Sequence, residues 1–206
     1  MTGQFAPGET LTIRSLADAL GTSVMPVREA LQKLAAEGVL ESLPNRSLRV
    51  QTASRESLHE LYQIRKSLEG MATRMAAKKL GDDDLEALAG YIAKMESCTK
   101  EEDAGDFLIT NQAFHFRIYA AADSHHLMPM IRSLWMKFGP LISRPFRLHR
   151  ISDKQLVAGQ KQHKNILAAL RKRDGKKAEA ALVQDLSDAE RWFEQHHVFP
   201  GEETRA

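Results

Sequence analysis

The sequence predicts a mainly α protein, with two short helices and a small β-hairpin at the N-terminus followed by an all-α antiparallel helical bundle. Ala, Leu, Met, Lys and Glu dominate the composition and only 6% of residues are aromatic, which favours helix. Alternating apolar residues, typical of short strands, are confined to residues 39–50. Beyond Thr52, apolar residues recur every three or four positions, as on one face of a helix.

The two N-terminal helices have clear end signals. The first is predicted over residues 12–20 and ends at Gly21, a residue type common at helix C-termini. Ser23 is a suitable N-cap for the second helix, which is expected to run to Glu37 and end at Gly38.

A β-hairpin is predicted immediately after the second helix. Residues 39–43 and 47–50 are two short alternating runs on either side of a Pro44-Asn45 turn. Helix, tight turn, helix and hairpin together form the winged helix-turn-helix arrangement. We therefore predict a DNA-binding domain over residues 1–52.

The remaining chain is predicted to be a second, all-helical domain over residues 56–199, made of six antiparallel helices. Pro140 and Pro145 are expected to kink or interrupt the fourth of these helices. Residues 200–206 are predicted to be a disordered tail. The expected helix breaks are Gly81, residues 98–105, residues 122–124, Ser152 and residues 174–175.

Composition and motifs exclude several function classes. No apolar run approaches the length of a membrane span, and the N-terminus lacks a signal-peptide pattern, so a cytoplasmic protein is expected. The single cysteine, Cys98, rules out an internal disulfide and a cysteine-rich zinc module. We find no HExxH, no GxSxG, no phosphate-binding loop and no Cys/His dyad, and we predict that the chain is not an enzyme.

Polar residues on the predicted helix-turn-helix indicate that this motif binds DNA. The N-terminal residues of its second helix reach base edges in the major groove, and Arg28 lies one turn into that helix. Two alternatives remain open at this point. Arg28 and Glu29 could form a surface salt bridge, and small helix–hairpin units also occur in proteins that touch no DNA. The predicted DNA-binding residues are Arg14, Thr22, Ser23, Arg28 and the hairpin-tip residue Arg46.

A dense, ordered set of residues in the first fifty positions decides between these interpretations. The matching strings are Pro7-Gly8-Glu9-x-Leu11, Leu16-Ala17-x-x-Leu20-Gly21-x-Ser23-x-x-Pro26-Val27-Arg28-Glu29-Ala30-Leu31-x-x-Leu34 and Glu37-Gly38. This set resembles the DNA-binding domain of the GntR family. The resemblance implies that Arg14, Arg28 and Arg46 contact DNA. Three positions depart from the family pattern, namely Val24 for Arg, Met25 for Thr and Ser47 for the wing glycine.

Residues 56–197 resemble the FCD domain, the helical effector module of the FadR-type branch of that family. The matching strings are Tyr62-x-x-Arg65-x-x-Leu68-Glu69, Asn111-x-x-Phe114-His115 and His163-x-x-Ile166-x-x-Ala169-Leu170. The resemblance implies a metal ion held in the bundle by an Asp or Asn and three histidines. Asn111 and His115 are four residues apart and share a helix face, and His163 lies on an apolar face.

The fourth metal position of the family falls on Asp185, where a histidine is usual. Asp185 lies on an apolar helix face, where an unpaired carboxylate is costly and a metal ion would compensate that cost. The predicted ligands Asn111, His115, His163 and Asp185 carry the same −1 charge as one aspartate with three imidazoles. They fit a divalent ion such as Zn, Mn or Ni. The alternative is that Asp185 binds a protonated histidine and no metal binds.

Arg65 is the candidate effector-binding residue. It could bind the carboxylate of a small organic acid, as the family resemblance implies, or form an intrahelical ion pair with Glu69 four residues later.

Together these predictions describe a ligand-responsive transcription regulator, a repressor, that acts as a homodimer on operator DNA and senses a small carboxylate in a metal-containing pocket. The alternatives are a metal-free binding or dimerisation module with weakened DNA binding and, less favoured, a metal-dependent hydrolase or oxygenase.

Overall fold

The N-terminal part of the protein contains two helices and a three-stranded sheet. The structure, a computed structural model, describes residues 5–44, 47–98, 103–148, 154–196 and 199. The elements of the first part are β1 (Thr10–Leu11), α1 (Ile13–Leu20), α2 (Val24–Ala36), β2 (Leu40–Ser42) and β3 (Leu48–Val50). The strands are antiparallel in the order β1-β3-β2. The winged helix-turn-helix prediction is therefore confirmed.

Strand β1 is an addition to the predicted hairpin. Its two residues, Thr10 and Leu11, pair with Arg49 and Leu48. Two residues are too few to produce an alternating pattern, so periodicity could not reveal this strand.

The helix ends follow the sequence signals. Thr12 caps α1 by accepting a hydrogen bond from the Ser15 amide, and Gly21 ends the helix with φ of 62°. Gly38, after α2, has φ of 70°, another conformation that favours glycine. Ser23 stands at the predicted N-cap of α2, but its side chain makes no capping hydrogen bond.

Six helices follow the sheet, as predicted. They are α3 (Arg55–Ala76), α4 (Asp82–Ser97), α5 (Ala104–Ala121), α6 (Leu127–Leu148), α7 (Lys154–Arg171) and α8 (Gly175–His196). The prolines Pro140 and Pro145 do not interrupt α6, which continues through both. An interior proline removes one backbone donor and crowds the carbonyl four residues before it, so tertiary packing of α6 must offset both costs. The predicted disordered tail, residues 200–206, lies outside the described residues.

The bundle core positions the inward polar residues discussed below. Helix α8 packs along both α3 and α7, and α5 packs against α3 and α4. Fully buried apolar side chains from four helices, including Tyr62, Phe114, Ile166 and Leu182, fill the space between them. In the described part of the chain, no helix is long and apolar enough to span a membrane.

Two helical glycines differ in the space around them. A Cβ on Gly175, the first residue of α8, would lie 2.8 Å from the backbone oxygen of Arg74, whereas a Cβ on Gly90 of α4 meets nothing within 4 Å. We expect Gly175→Ala to lower the free energy of unfolding by about 1–3 kcal/mol, because backbone must move. Gly90→Ala should raise it by about 0.5–1 kcal/mol, because alanine favours helix. Urea denaturation of both variants measures these changes, and equal effects would contradict the close α3–α8 packing.

Candidate metal centre and nucleic-acid interface

Three buried side chains from three helices meet inside the bundle. His115 comes from α5, His163 from α7 and Asp185 from α8, and their candidate ligand atoms all lie within 4.8 Å of one another. Asp185 Oδ2 is 3.4 Å from His115 Nε2, and Asp185 Oδ1 is 3.7 Å from His163 Nε2. All three are less than a tenth exposed. The structure thus brings together three of the four predicted metal ligands.

The apolar faces of the helices explain this convergence. Phe114 precedes His115, and its ring lies against that of His163, with 4.8 Å between the ring centroids. Leu182 and Leu186 flank Asp185 on α8, and both are buried. Burying these leucines turns Asp185 inward, because residues three and four apart share one face of a helix.

Burial controls the charge of each group in this cluster. It raises the pKa of Asp185 to about 8, against the opposing effect of the Arg65 guanidinium. It lowers the pKa of His163 to about 4, and that of His115 well below its ordinary value. Both imidazoles are therefore neutral at pH 7, so the contacts with Asp185 are not ion pairs with imidazolium. Neutral imidazole is the form in which histidine binds metal ions, whereas Asp185, which is protonated below about pH 8, must lose its proton to become a ligand.

The spacing of the three donors fits a metal ion. The contacts of 3.4 and 3.7 Å are longer than ordinary hydrogen bonds. Two ligand atoms, each about 2.1 Å from a tetrahedral ion, lie about 3.4 Å apart. Both ring nitrogens of His163 are buried and have no hydrogen-bond partner within the described ranges. An unpartnered imidazole in a dry core is unfavourable, and a metal ion would supply the missing partner.

A hydrogen-bond chain fixes the orientation of His115. The Tyr119 hydroxyl donates to Glu69 Oε2 at 2.6 Å and lies 3.2 Å from His115 Nδ1. Because its proton goes to Glu69, the hydroxyl oxygen accepts from Nδ1–H of His115. The lone pair of the imidazole is then on Nε2, which is the nitrogen facing Asp185. Histidines that bind metal ions are commonly oriented in this way by a partner on the other nitrogen.

Arg65 and Glu69 form the ion pair that the sequence left as an alternative, but they form it in the core. Arg65 Nε donates to Glu69 Oε1 at 2.7 Å, and both side chains are almost completely buried. The guanidinium lies over the ring of Phe138, 4.2 Å from its centroid, and near that of Trp135. Arg65 Nη1 and the Tyr62 hydroxyl have no hydrogen-bond partner among the described residues.

The other residues of this region show what sequence reasoning found and missed. Asn111 is half-buried one turn before His115, so it stays a predicted ligand. Sequence reasoning missed Tyr119 and Trp135, both of which donate hydrogen bonds to Glu69. The four-residue spacing from His115 could have revealed Tyr119, whereas no sequence signal connects Trp135 with this site.

A second group of possible metal ligands lies near the surface, between α3 and α8. It consists of His59, Glu190 and Glu194. His59 Nδ1 is 2.8 Å from Glu190 Oε1, and Lys66 Nζ is 2.5 Å from Glu190 Oε2. Because lysine already neutralises the buried carboxylate, this group is better explained as an ion-pair network. The side chain of His59 is 58% exposed.

Of the predicted DNA-binding residues, Arg14 lies on α1, Arg28 lies on α2, and Thr22 and Ser23 lie in the turn between these helices. Arg14, Thr22, Ser23 and Arg28 are all exposed, and Arg46 falls outside the described residues. The Arg28–Glu29 salt bridge is absent, because Arg28 has no ion-pair partner in the described part of the chain. At the start of α2, Val24 and Met25 are 37% and 57% exposed. Helix α2 therefore presents the apolar side chains of Val24 and Met25 beside its one arginine, Arg28.

Comparisons with known proteins agree with this architecture. Residues 1–50 match the bacterial regulatory proteins of the gntR family, and residues 60–188 match the FCD domain. The HTH-type transcriptional regulator McbR of Escherichia coli strain K12 is 30% identical over 172 residues, 84% of this chain and 77% of McbR. The HTH-type transcriptional repressor GlaR of the same organism is 30% identical over 188 residues, 89% of this chain and 86% of GlaR.

A solved structure extends the likeness to three dimensions. The structure of E. coli McbR/YncC has a TM-score of 0.87 with 27% sequence identity, covering 94% of this chain and 91% of that one. The family matches fall on the two parts of the fold, the winged helix-turn-helix and the helical bundle. These relatives are transcription regulators, so the prediction that the chain is not an enzyme is confirmed. The chain belongs to the GntR family of bacterial transcription regulators, in the branch that carries an FCD domain.

Proposed function

We propose that this regulator is a homodimeric repressor that senses a small organic acid through a divalent metal ion held in its FCD domain. The observation that carries the proposal is the meeting of His115, His163 and Asp185 in a dry core. Both ring nitrogens of His163 lack a hydrogen-bond partner among the described residues, and a bound cation would account for the meeting of these three side chains. The regulator would act in the cytoplasm, where operator DNA is located.

The ligand set favours Zn, Mn or Ni. His115, His163 and Asp185 would hold the ion, and Asn111 remains the predicted fourth ligand. Two imidazoles, a carboxylate and a carboxamide combine nitrogen and oxygen donors, which these divalent ions accept. When bound, the ion would act as a Lewis acid that coordinates an oxygen of the effector.

Arg65 and Tyr62 support a carboxylate as the effector. Glu69 occupies Nε and Nη2 of the Arg65 guanidinium, and Nη1 has no partner among the described residues. The buried Tyr62 hydroxyl also has no hydrogen-bond partner among the described residues. It lies close enough to Arg65 and Asp185 for their charges to affect its pKa. A guanidinium N–H and a hydroxyl beside a metal ion form a suitable set of groups for a carboxylate.

The exposed face of α3 supports a homodimer. Apolar residues recur there with alternating spacings of four and three, the pattern of a helix–helix seam. They are Leu61, Ile64, Leu68, Met71 and Met75, of which Ile64, Met71 and Met75 are 41%, 42% and 37% exposed. Exposed large apolar side chains in a row mark an interaction surface.

This α3 seam is complementary to itself. A two-fold axis beside Leu68 would pair two copies of α3 in opposite directions. Leu61 would then lie beside Met75 of the partner subunit. This apolar contact is favourable. A two-fold dimer would present its two winged domains to the half-sites of a pseudo-palindromic operator.

The exposed Val24 and Met25 favour a second candidate, a metal-free dimerisation module with weakened DNA binding. In this interpretation the bundle binds a partner or itself and the winged domain no longer reads an operator. The two candidates differ in metal content and in binding to duplex DNA.

Metal analysis distinguishes them. We expect about one divalent ion per chain in protein purified without chelator, because the three donors form one site. His163→Ala should lose the ion, because it removes one of three ligands. His59→Ala, which removes an exposed histidine from the surface group, should retain it. Inductively coupled plasma mass spectrometry measures all three proteins.

DNA binding and effector response complete this test. Duplexes selected from a random library by the wild-type protein provide an operator, and small carboxylates are then screened for release of that duplex. Absence of metal from the wild-type protein after an attempt at reconstitution would contradict the proposed metal-dependent sensor. Failure to select any duplex at low salt would favour the dimerisation module.

Asp185→Asn should separate metal binding from folding. The variant keeps the size of the side chain but removes the carboxylate, whose pKa is raised from 3.8 to about 8 by burial. In chelator-treated wild type, protonated Asp185 contributes to the free energy of unfolding. This contribution is complete below about pH 4 and decreases as the pH rises to about 8. The other groups facing Asp185 are His115, His163, Arg65, Glu69 and Asp188.

Thermal unfolding of both metal-free proteins at pH 5 and pH 8 measures this effect. The variant should gain stability relative to wild type as the pH rises, by more than about 1 kcal/mol over the range. Added metal should stabilise wild type only. If added metal stabilises the Asp185→Asn variant as much as wild type, Asp185 is not a metal ligand.

Substitution in the α3 seam tests the dimer. Met71→Glu places a charge at the centre of the seam and should convert the dimer to monomer, because a buried, unpaired charge opposes association. Ile109→Glu on α5 is the matched control, since Ile109 is 46% exposed and lies outside the seam. Sedimentation equilibrium of both variants gives the mass, and a dimeric Met71→Glu protein would place the interface elsewhere.

A further inference from the structure

A cavity of about 590 Å³ lies between the DNA-binding domain and helix α6 of the bundle. We propose that it binds an uncharged, apolar small molecule, at a site separate from the metal centre. Its walls come from α1, α2 and the sheet on one side and from Met136, Gly139 and Pro140 of α6 on the other. It therefore joins the recognition helix to the effector domain.

The cavity has a buried floor and an accessible rim. Leu11, Val27 and Leu31 are buried and form part of the floor. Leu20 and Ala30 are exposed and lie at the rim, and Leu20 is 68% exposed. A floor sealed from water with an open rim allows a ligand to enter without unfolding the domain.

The lining defines the chemistry of the ligand. Its residues are apolar except for Thr22, which supplies one hydroxyl group, and none of them carries a charge. An ion would lose its hydration here without compensation, so a charged ligand is excluded. An uncharged aromatic or aliphatic molecule would gain free energy from burial of its apolar surface.

The volume favours a small molecule over a protein segment. Pockets for small molecules commonly measure about 300–1,000 Å³, a range that includes this cavity. A helix with its side chains is about 10 Å across and rises about 5.4 Å per turn, so the cavity holds little more than one turn. One turn of helix offers too few contacts for stable docking.

The cavity and the candidate metal centre contact different residues of α6. Trp135 and Phe138 face the buried Arg65–Glu69 pair. Met136 and Gly139, their neighbours in the chain, line the cavity. None of the predicted metal or effector residues lines it. A ligand in the cavity would contact α2 and α6 together, so it would favour one arrangement of the two domains and change operator affinity by its differential binding.

The test uses the uncharged fluorophore N-phenyl-1-naphthylamine, which brightens in apolar surroundings, with the full-length protein. We expect saturable binding of about one molecule per chain at this cavity. Gly139→Leu fills the cavity from α6, and the affinity for the probe should fall by about tenfold or more. Gly90→Leu, a substitution of the same kind in open space on α4, should leave it unchanged.

Two further variants make each outcome decisive. His163→Ala should bind the probe like wild type, because the metal centre is a different site. Met136→Trp fills the same cavity if Gly139→Leu does not fold, as judged by circular dichroism. Absence of saturable binding, or equal binding by wild type and a folded cavity-filling variant, would overturn the proposal. Loss of the probe in His163→Ala would also overturn it by assigning the probe to the metal pocket.

Discussion

The buried carboxylate of Glu69 is the interaction on which the bundle depends. It accepts hydrogen bonds from Arg65 of α3, Tyr119 of α5 and Trp135 of α6, so one side chain connects three helices. A carboxylate in a core is stable only when its oxygens are fully paired. Glu69 has three donors, a guanidinium, a hydroxyl and an indole N–H, and the first of these is a cation. Removal of any one donor would leave part of the charge uncompensated, which makes the arrangement of these helices mutually dependent.

This network also connects the candidate metal centre to helix α6. Tyr119 connects Glu69 to His115, a predicted metal ligand, and Trp135 connects it to α6. Met136 and Gly139 of α6 line the cavity beside α2. Hydrogen bonds through Tyr119, Glu69 and Trp135 therefore connect His115 to α6, and α6 meets α2 across this cavity.

The sequence predicted most of the fold because its signals are local. Helix ends at Gly21 and Gly38 and the six bundle helices follow from backbone chemistry and periodicity, and a dense motif identified the DNA-binding domain. The continuity of α6 through Pro140 was not predictable, because tertiary packing outweighs the local cost of a proline. Trp135 was likewise missed, because its contact with Glu69 joins residues 66 positions apart. The inward direction of Asp185 was predicted from its apolar neighbours, whereas the orientation of His115 by Tyr119 required coordinates.

Asp185 has a consequence for how the effector domain folds. A histidine at this position could remain neutral without metal, whereas a buried aspartate must either bind a proton or face a cation, since its pKa is raised to about 8. Metal binding to this ligand set would therefore contribute to folding more directly than binding to three imidazoles. The same substitution adds an anionic oxygen donor and removes a neutral nitrogen donor, which would reduce the Lewis acidity left for the proposed effector carboxylate. Arg65, with one unpartnered N–H among the described residues, would then carry a larger share of effector recognition.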